Sequence, residues 1–276
     1  MKFALVGYGR WGKKVAKKLS SISSLDCVSS NRDLKTLQKD LVEDGLSCKA
    51  MAFCDVLLDD SIKNVFVAVP IDRLYEVARK SLLAGKHVFL EKPGSSTHTE
   101  LNSLIEIAES KKLVLFINYI YASDSAYRLF ADQIRFEHEK NIVAIWKKQS
   151  RSSSPSYQNM VPHILYLIME ALKTDRIQLL ESSQRGALEF ECREYRVSIT
   201  CDDNSKDETF QLTCGSSSWS PRAFTKDLVT SSNHSDLLAA QIDAFRLLTK
   251  HGKLDNQHLK KASSIAMMID QIRGFR

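Results

Sequence analysis

The chain has 276 residues, 43% of them hydrophobic and 26% charged, with 39 Lys and Arg set against 33 Asp and Glu for a net charge of +6. That length suits one large domain or two of ordinary size, and the mild, dispersed basic charge excludes the concentrated patch of a nucleic-acid binder. No apolar run approaches the roughly 18–20 residues that cross a bilayer, and the run at residues 3–6 stops at Gly7, so a protein without signal peptide or membrane contact, cytoplasmic, is expected.

The first informative stretch is residues 1–12, MKFALVGYGRWG. Phe3, Ala4, Leu5 and Val6 read as a short strand, Gly7, Gly9 and Gly12 follow at G-x-G-x-x-G spacing, and a helical stripe begins at Val15, Ala16 and Leu19. In such a turn the first glycine makes the bend, the second lets backbone approach a pyrophosphate, and the third lets the helix pack on the strand. The helix dipole then favours the negative charge of the phosphates. Lys14, Lys17 and Lys18 read as a solvated face, whereas Arg10 and Lys13 are the candidates for phosphate contact.

A second strand is expected at residues 25–30 and a helix at 34–43, then a short strand at 52–55 and a continuous apolar strand, VFVAVP, at 65–70. A helix carrying Leu74, Val77, Ala78 and Leu82 stops at Gly85; a strand at 87–90, a helix at 99–110 and a strand at 113–120 complete the alternation. Strands alternating with helices over short links mean a doubly wound parallel sheet, with the glycine turn at the carboxyl ends of the strands. Beyond residue 121 the character changes. Helices at 126–137 and 161–172 flank a strand at 142–147, three or four strands follow between 177 and 214, with turns near 184–186 and 202–204, and two helices close the chain. The expected fold is α/β: a Rossmann domain at 1–121 and an α+β domain with a mostly antiparallel sheet at 122–276. Six cysteines, at 27, 48, 54, 192, 201 and 214, form no C-x-x-C pair and stand at no metal-ligand spacing, so reduced thiols and no metal are expected.

Glu91-Lys92-Pro93 closes the segment EVARKSLLAGKHVFLEKP, which places a lysine at the carboxyl end of a parallel strand, on the rim that carries the glycine turn. Together the glycine turn, VFVAVP and this segment resemble the Gfo/Idh/MocA oxidoreductases over about residues 1–121. The resemblance implies a Rossmann domain joined to a substrate-carrying α+β domain, and hydride transfer between a nicotinamide cofactor and a hydroxyl or keto carbon of a sugar, sugar derivative or cyclic polyol. It also implies a cofactor site of Gly7, Gly9, Arg10, Trp11, Gly12, Val69, Pro70, Glu91 and Lys92, with Lys92 beside the reacting hydroxyl. There a positioned cation or acid/base lowers the barrier to moving a hydride and a proton together. The family's His at the start of a second-domain helix corresponds to His163, in Asn159-Met160-Val161-Pro162-His163, with Lys92 and His163 as the proton-handling pair.

Three positions depart from the family pattern: Asn159 where Asp is frequent, Tyr166 where Asp or Ser is common, and Leu74 for a frequent His. Asn cannot relay a proton as Asp can. Tyr166, one turn after His163, offers a hydroxyl on the same face and joins the catalytic candidates. These departures also motivate a second reading, a cofactor-binding regulatory or scaffold protein. Substrate candidates besides Lys92 and His163 are Asn118, Tyr119, Arg151 and Asn159, although packing is the simpler role for Tyr119 and Tyr121. At the end of the second strand Ser30, Asn31 and Arg32 stand in place of an acidic residue. Small hydroxyls and an Arg suit a 2′-phosphate, so NADP is the expected cofactor, with NAD left open by Asp33. Homo-oligomerisation through the outer face of the second sheet is usual in such proteins.

Overall fold

Residues 2–22, 25–149, 155–180, 187–221 and 234–274 are described by a computed structural model of the chain. They form two compact units, one of residues 1–118 with 238–259 and one of 119–237 with 260–276.

In the first unit β1 (Phe3–Val6) leads into α1 (Arg10–Ser21), β2 (Leu25–Ser29) into α2 (Leu34–Glu43), and β3 (Lys49–Ala50) into α3 (Phe53–Leu58). Then β4 (Asn64–Val67), α4 (Ile71–Leu83), β5 (His87–Glu91), α5 (His98–Ser110) and β6 (Leu115–Asn118) complete the alternation. The sheet order is β3-β2-β1-β4-β5-β6 and every pair is parallel. The order reverses between β1 and β4, and open α/β sheets bind ligands beside the carboxyl ends of strands at such a point. The strand expected at 52–55 is instead the start of α3: Ala52 caps the helix and Val56 is its buried anchor. Two residues of β3, pairing with Cys27 and Val28, supply the edge strand.

One face of this sheet carries an in-register row: Phe66 stands opposite Phe89, and Phe89 opposite Phe116. Phe66 and Phe89 stack at 4.3 Å, and Phe89 meets Phe116 at 5.1 Å. Phe245, from α9 (His234–His251), covers the row, with its ring 5.5 Å from Phe89 and 5.7 Å from Phe3. The contiguous division expected at residue 121 therefore omits the return of 238–259 to the first unit. Burial of an aromatic ring against three others is what draws the segment back.

Two imidazoles accept from the backbone leading into and along β6. His87 Nδ1 accepts from Val114 N at 2.9 Å, and His258 Nε2 accepts from Ile117 N at 3.0 Å. Burial first, then the charge of Lys63, lowers the His87 pKa. A lowered His pKa means that the unfolded chain takes up the proton first. Stability is therefore full above 6.5, the ordinary His value, and falls as pH drops through the folded value. Urea midpoints measured from pH 7.5 to 5 should fall, and His87→Gln, which retains an acceptor but does not titrate, should flatten that slope.

In the second unit β7 (Asn141–Gln149) is the centre of the sheet β12-β11-β7-β10-β9-β8. Ile142, Ala144 and Trp146 point inward while Asn141, Val143 and Lys147 face solvent, the alternation of a strand covered on one face. It pairs parallel with β10 (Tyr195–Asp202) and antiparallel with β11 (Asn204–Cys214); the remaining pairs, with β8 (Gln178–Leu179), β9 (Leu188–Cys192) and β12 (Ser217–Trp219), are antiparallel. The expected turn at 202–204 is there, with Asp202 accepting from Asn204 N at 3.0 Å. The turn expected at 184–186 lies outside the described residues. Strand β12 was not expected: three residues closing on β11 carry too little pattern to read. Helix α6 (Ser125–Gln133) ends in a 3-10 turn, Ile134–Phe136. After the short α7 (Ser156–Asn159), α8 (Val161–Ala171) is buried around its whole circumference except at Glu170, and α10 (Asn256–Gly274) closes the chain.

Candidate functional site

In the first unit the candidate residues gather at the carboxyl rim of the parallel sheet. Gly7 adopts φ +107°, and its amide donates to Ser29 O at 2.8 Å. A Cβ at Gly7 would stand 2.2 Å from the carbonyl oxygen of Ala68 and 3.1 Å from the amide of Val69; one at Gly12 would stand 2.1 Å from the carbonyl oxygen of Gly7. Gly9 is exposed, and a Cβ there would meet nothing within 4 Å. Two glycines are thus required by the protein's own packing, while the middle one leaves open the space above the α1 amides. That is the cradle a dinucleotide pyrophosphate needs, and the residues present fit the group. Val69 and Pro70 flank the turn at the start of α4, where Pro70 is the capping residue.

Of the two cations proposed for phosphate, only Arg10 stands exposed in the first turn of α1. The Lys13 ammonium is instead bound to Asp44 at 2.7 Å, and Asp44 also accepts from the Tyr8 hydroxyl at 2.8 Å. These two hydrogen bonds hold the Asp44 carboxyl below its ordinary range. Asp44 lies 31 positions from Lys13, and nothing in their local spacing signals the pair.

At the end of β2, Ser30 is half-buried, and Asn31 and Arg32 are exposed. The Ser30 hydroxyl accepts from Arg32 N at 3.2 Å, and the Arg32 guanidinium pairs with Asp40. The Asp33 carboxylate caps α2, accepting from Thr36 N at 3.0 Å. At the end of β5, Glu91 Oε1 accepts from Trp11 Nε1 at 2.6 Å and from Asn118 Nδ2 at 2.8 Å. Burial pushes the Glu91 carboxyl up, against the opposing pull of Asn118, Trp11 and the neighbouring Lys92. Lys92 is the next residue, half-buried, before Pro93.

The other candidates belong to the second unit. His163 lies in the first turn of α8 behind Pro162, where proline's missing amide costs no helix hydrogen bond. It is 8% exposed, and its ring is walled by Tyr121 at 5.2 Å, Trp146 at 5.7 Å and Tyr119 at 6.3 Å. Tyr166 is stacked on Tyr119 at 4.1 Å, and burial pushes the Tyr119 and Tyr121 phenols up. The Lys261 ammonium lies 5.8 Å over the Tyr166 ring and pairs with Glu170. Trp146 and Lys261 were not among the expected residues; the helical spacing of His258, Lys261 and Ile265 is the one signal that could have placed the lysine on an inward face. Asn159 is half-buried at the end of α7, and Arg151 lies outside the described residues. Leu74, at the family's frequent His position, is 2% exposed and packs in the core. Among the described residues no cluster of His, Cys, Asp and Glu could hold a metal ion, and no helix is long and apolar enough to cross a membrane.

Residues 1–119 match the model of the GFO_IDH_MocA family, described as "Oxidoreductase family, NAD-binding Rossmann fold". Residues 1–119 are thus similar to the Rossmann domain of that family. The UDP-N-acetylglucosamine 3-dehydrogenase of Acidithiobacillus ferrooxidans is 30% identical over 120 residues, 44% of this chain and 37% of the relative. An uncharacterized oxidoreductase of Schizosaccharomyces pombe is 44% identical over 63 residues, 23% of this chain and 17% of its own length. The chain thus matches well under half the length of these curated relatives. Similarity of fold extends further. KijD10, a 3-ketoreductase from Actinomadura kijaniata solved with TDP-benzene and NADP, superposes with a TM-score of 0.82 at 16% identity, covering 99% of this chain and 96% of that one. The fold, a Rossmann sheet followed by a mostly antiparallel sheet, is therefore shared along the chain, and the matched residues 1–119 fall in an NAD-binding class.

Proposed function

We propose that the chain is an NADP-preferring oxidoreductase that moves a hydride between nicotinamide and a hydroxyl or keto carbon of a sugar-like substrate, a nucleotide-linked sugar being the favoured class. The observation that carries this reading is one rim holding both parts of a redox site: the open glycine cradle at the end of β1 and Lys92 directly after the end of β5. The relative named as a UDP-N-acetylglucosamine 3-dehydrogenase, and the neighbour solved with TDP-benzene, support the substrate class.

A bound nicotinamide supplies the hydride donor or acceptor. The chain's own residues hold the dinucleotide on the α1 amides, with Arg10 adding charge, and Lys92 donates to or accepts from the substrate oxygen as it gains or loses its proton. His163, in the first turn of α8 and among aromatic walls, is the proton acceptor of the proposal. Tyr166 and Asn159 flank it as polar groups for substrate, and Tyr119, Asn118 and Arg151 remain the further substrate residues of the proposal.

NADP preference rests on the end of β2. The Asp33 carboxylate is committed to capping α2, while Ser30, Asn31 and Arg32 stand at the strand end, the guanidinium pairing with Asp40 through one nitrogen and keeping further N–H donors for a 2′-phosphate. Arg32→Ala is expected to weaken NADPH binding about ten-fold and leave NADH unchanged, since a charge-assisted contact is worth roughly one such factor. The activity itself is tested by NADPH oxidation against a panel of keto-sugars and nucleotide-linked keto-sugars. Turnover with one class identifies the substrate. Tight NADPH binding with no turnover across the panel overturns the reading in favour of a binding protein.

A further inference from the structure

Three side chains from three elements meet on one oxygen. Trp11 comes from the first turn of α1, Asn118 from the end of β6, and both donate to Oε1 of Glu91 at the end of β5. Trp11 lies 80 positions from Glu91, and Asn118 lies 27. Asn118 is 1% exposed, and among the described residues no hydrogen bond reaches its Oδ1, so the described polar contact of that amide is the one to Glu91. Gly7 is tied to Ser29, and Tyr8 and Lys13 to Asp44, but none of these reaches the end of β5. The cap of α1 is Gly9, which has no side chain to bond the free amides, and the first turn of α1 contains no acidic residue. A hydrogen bond to a carboxylate is roughly twice as strong as a neutral one, and here two converge where burial strengthens both.

We propose that Glu91 is a positioning residue: through the shared Oε1 it ties the first turn of α1 to the ends of β5 and β6, so dinucleotide affinity depends on Glu91 through Trp11 rather than through direct contact. The inference rests on the dinucleotide-binding reading above. Its consequence for the rim is that one carboxylate registers the pyrophosphate turn against the residue that follows it, Lys92.

The test is a double-mutant cycle on the full chain, read as NADPH dissociation constants by fluorescence titration. Trp11→Phe and Glu91→Ala are each expected to weaken binding about ten-fold, and the double variant also about ten-fold, because both changes cut the same link. Glu91→Gln, whose amide oxygen can still accept from both partners, should bind within about three-fold of the parent. Losses that multiply to about a hundred-fold in the double variant would show independent contacts and overturn the proposal. A second readout needs no dinucleotide. The indole N–H resonance of Trp11, assigned by its disappearance in Trp11→Phe, should move upfield in Glu91→Ala and return in Glu91→Gln. A resonance unmoved in Glu91→Ala overturns the link even if that variant is destabilised. Absence of NADPH binding to the parent chain overturns the oxidoreductase reading instead, and the resonance then still decides the link.

Discussion

Replacing Lys92 by alanine is expected to lower turnover by about two to four orders of magnitude, the range that a positioned acid/base contributes, while NADPH affinity stays within about two-fold. Lys92 follows β5 directly, at the carboxyl rim where the glycine turn also lies, and in the proposed reaction its ammonium serves the substrate oxygen and not the pyrophosphate. A loss of turnover with the cofactor still bound is the signature of a group used in the transition state. Single-turnover reduction with saturating NADPH separates that step from substrate binding. An unchanged rate would remove Lys92 from the mechanism. His163→Ala would then be the variant to examine, because His163 is the other proton-handling candidate.

The glycines provide the second large effect, with opposite signatures along one turn. Gly12→Ala places a methyl 2.1 Å from the carbonyl oxygen of Gly7, a backbone atom that cannot move aside without opening the turn. Overpacking against backbone costs about 3 kcal/mol or more, so the thermal midpoint should fall by several degrees. Gly7→Ala meets a different backbone atom, the carbonyl oxygen of Ala68 at 2.2 Å, and adds strain because φ is +107° there. Gly9→Ala meets nothing within 4 Å, and its φ of −83° suits any residue. The loss of a favourable cap and the gain from a stiffer unfolded chain oppose each other, leaving stability within about 1 kcal/mol. Its methyl would nevertheless fill the space above the α1 amides, and NADPH affinity should drop by about a hundred-fold or more. A Gly9→Ala protein that is stable and binds NADPH as tightly as the parent would place the dinucleotide elsewhere. Calorimetry and fluorescence titration on the three variants measure both signatures.

What could be read in advance follows the range over which each feature is determined. The strand, glycine turn and helix at residues 1–21 are a local pattern, and they fold as the spacing predicts. So does α8, with proline in its first turn; the apolar strand expected at 65–70 is buried as β4 only to Val67, and Pro70 instead caps α4. Local reading failed where a segment carried little pattern or took its meaning from a distant partner. Residues 52–55 are apolar enough for a strand, yet Val56 turns them into a helix anchored in the core. Lys13 looks like a phosphate ligand because of its helix position, and Asp44 claims it from the far end of α2.

By itself, then, the sequence determined the Rossmann class, the glycine cradle, the placement of Lys92 after a strand and of His163 after a proline. All of these depend on neighbours within one or two turns of chain. Only the tertiary structure decided that Phe245 brings 238–259 back onto the first sheet, that aromatic rings wall His163, and that Trp11, Glu91 and Asn118 share one oxygen. Those contacts join residues tens of positions apart. Strand order and register create them, and hydrophobic periodicity reports which face is buried without naming what it is buried against.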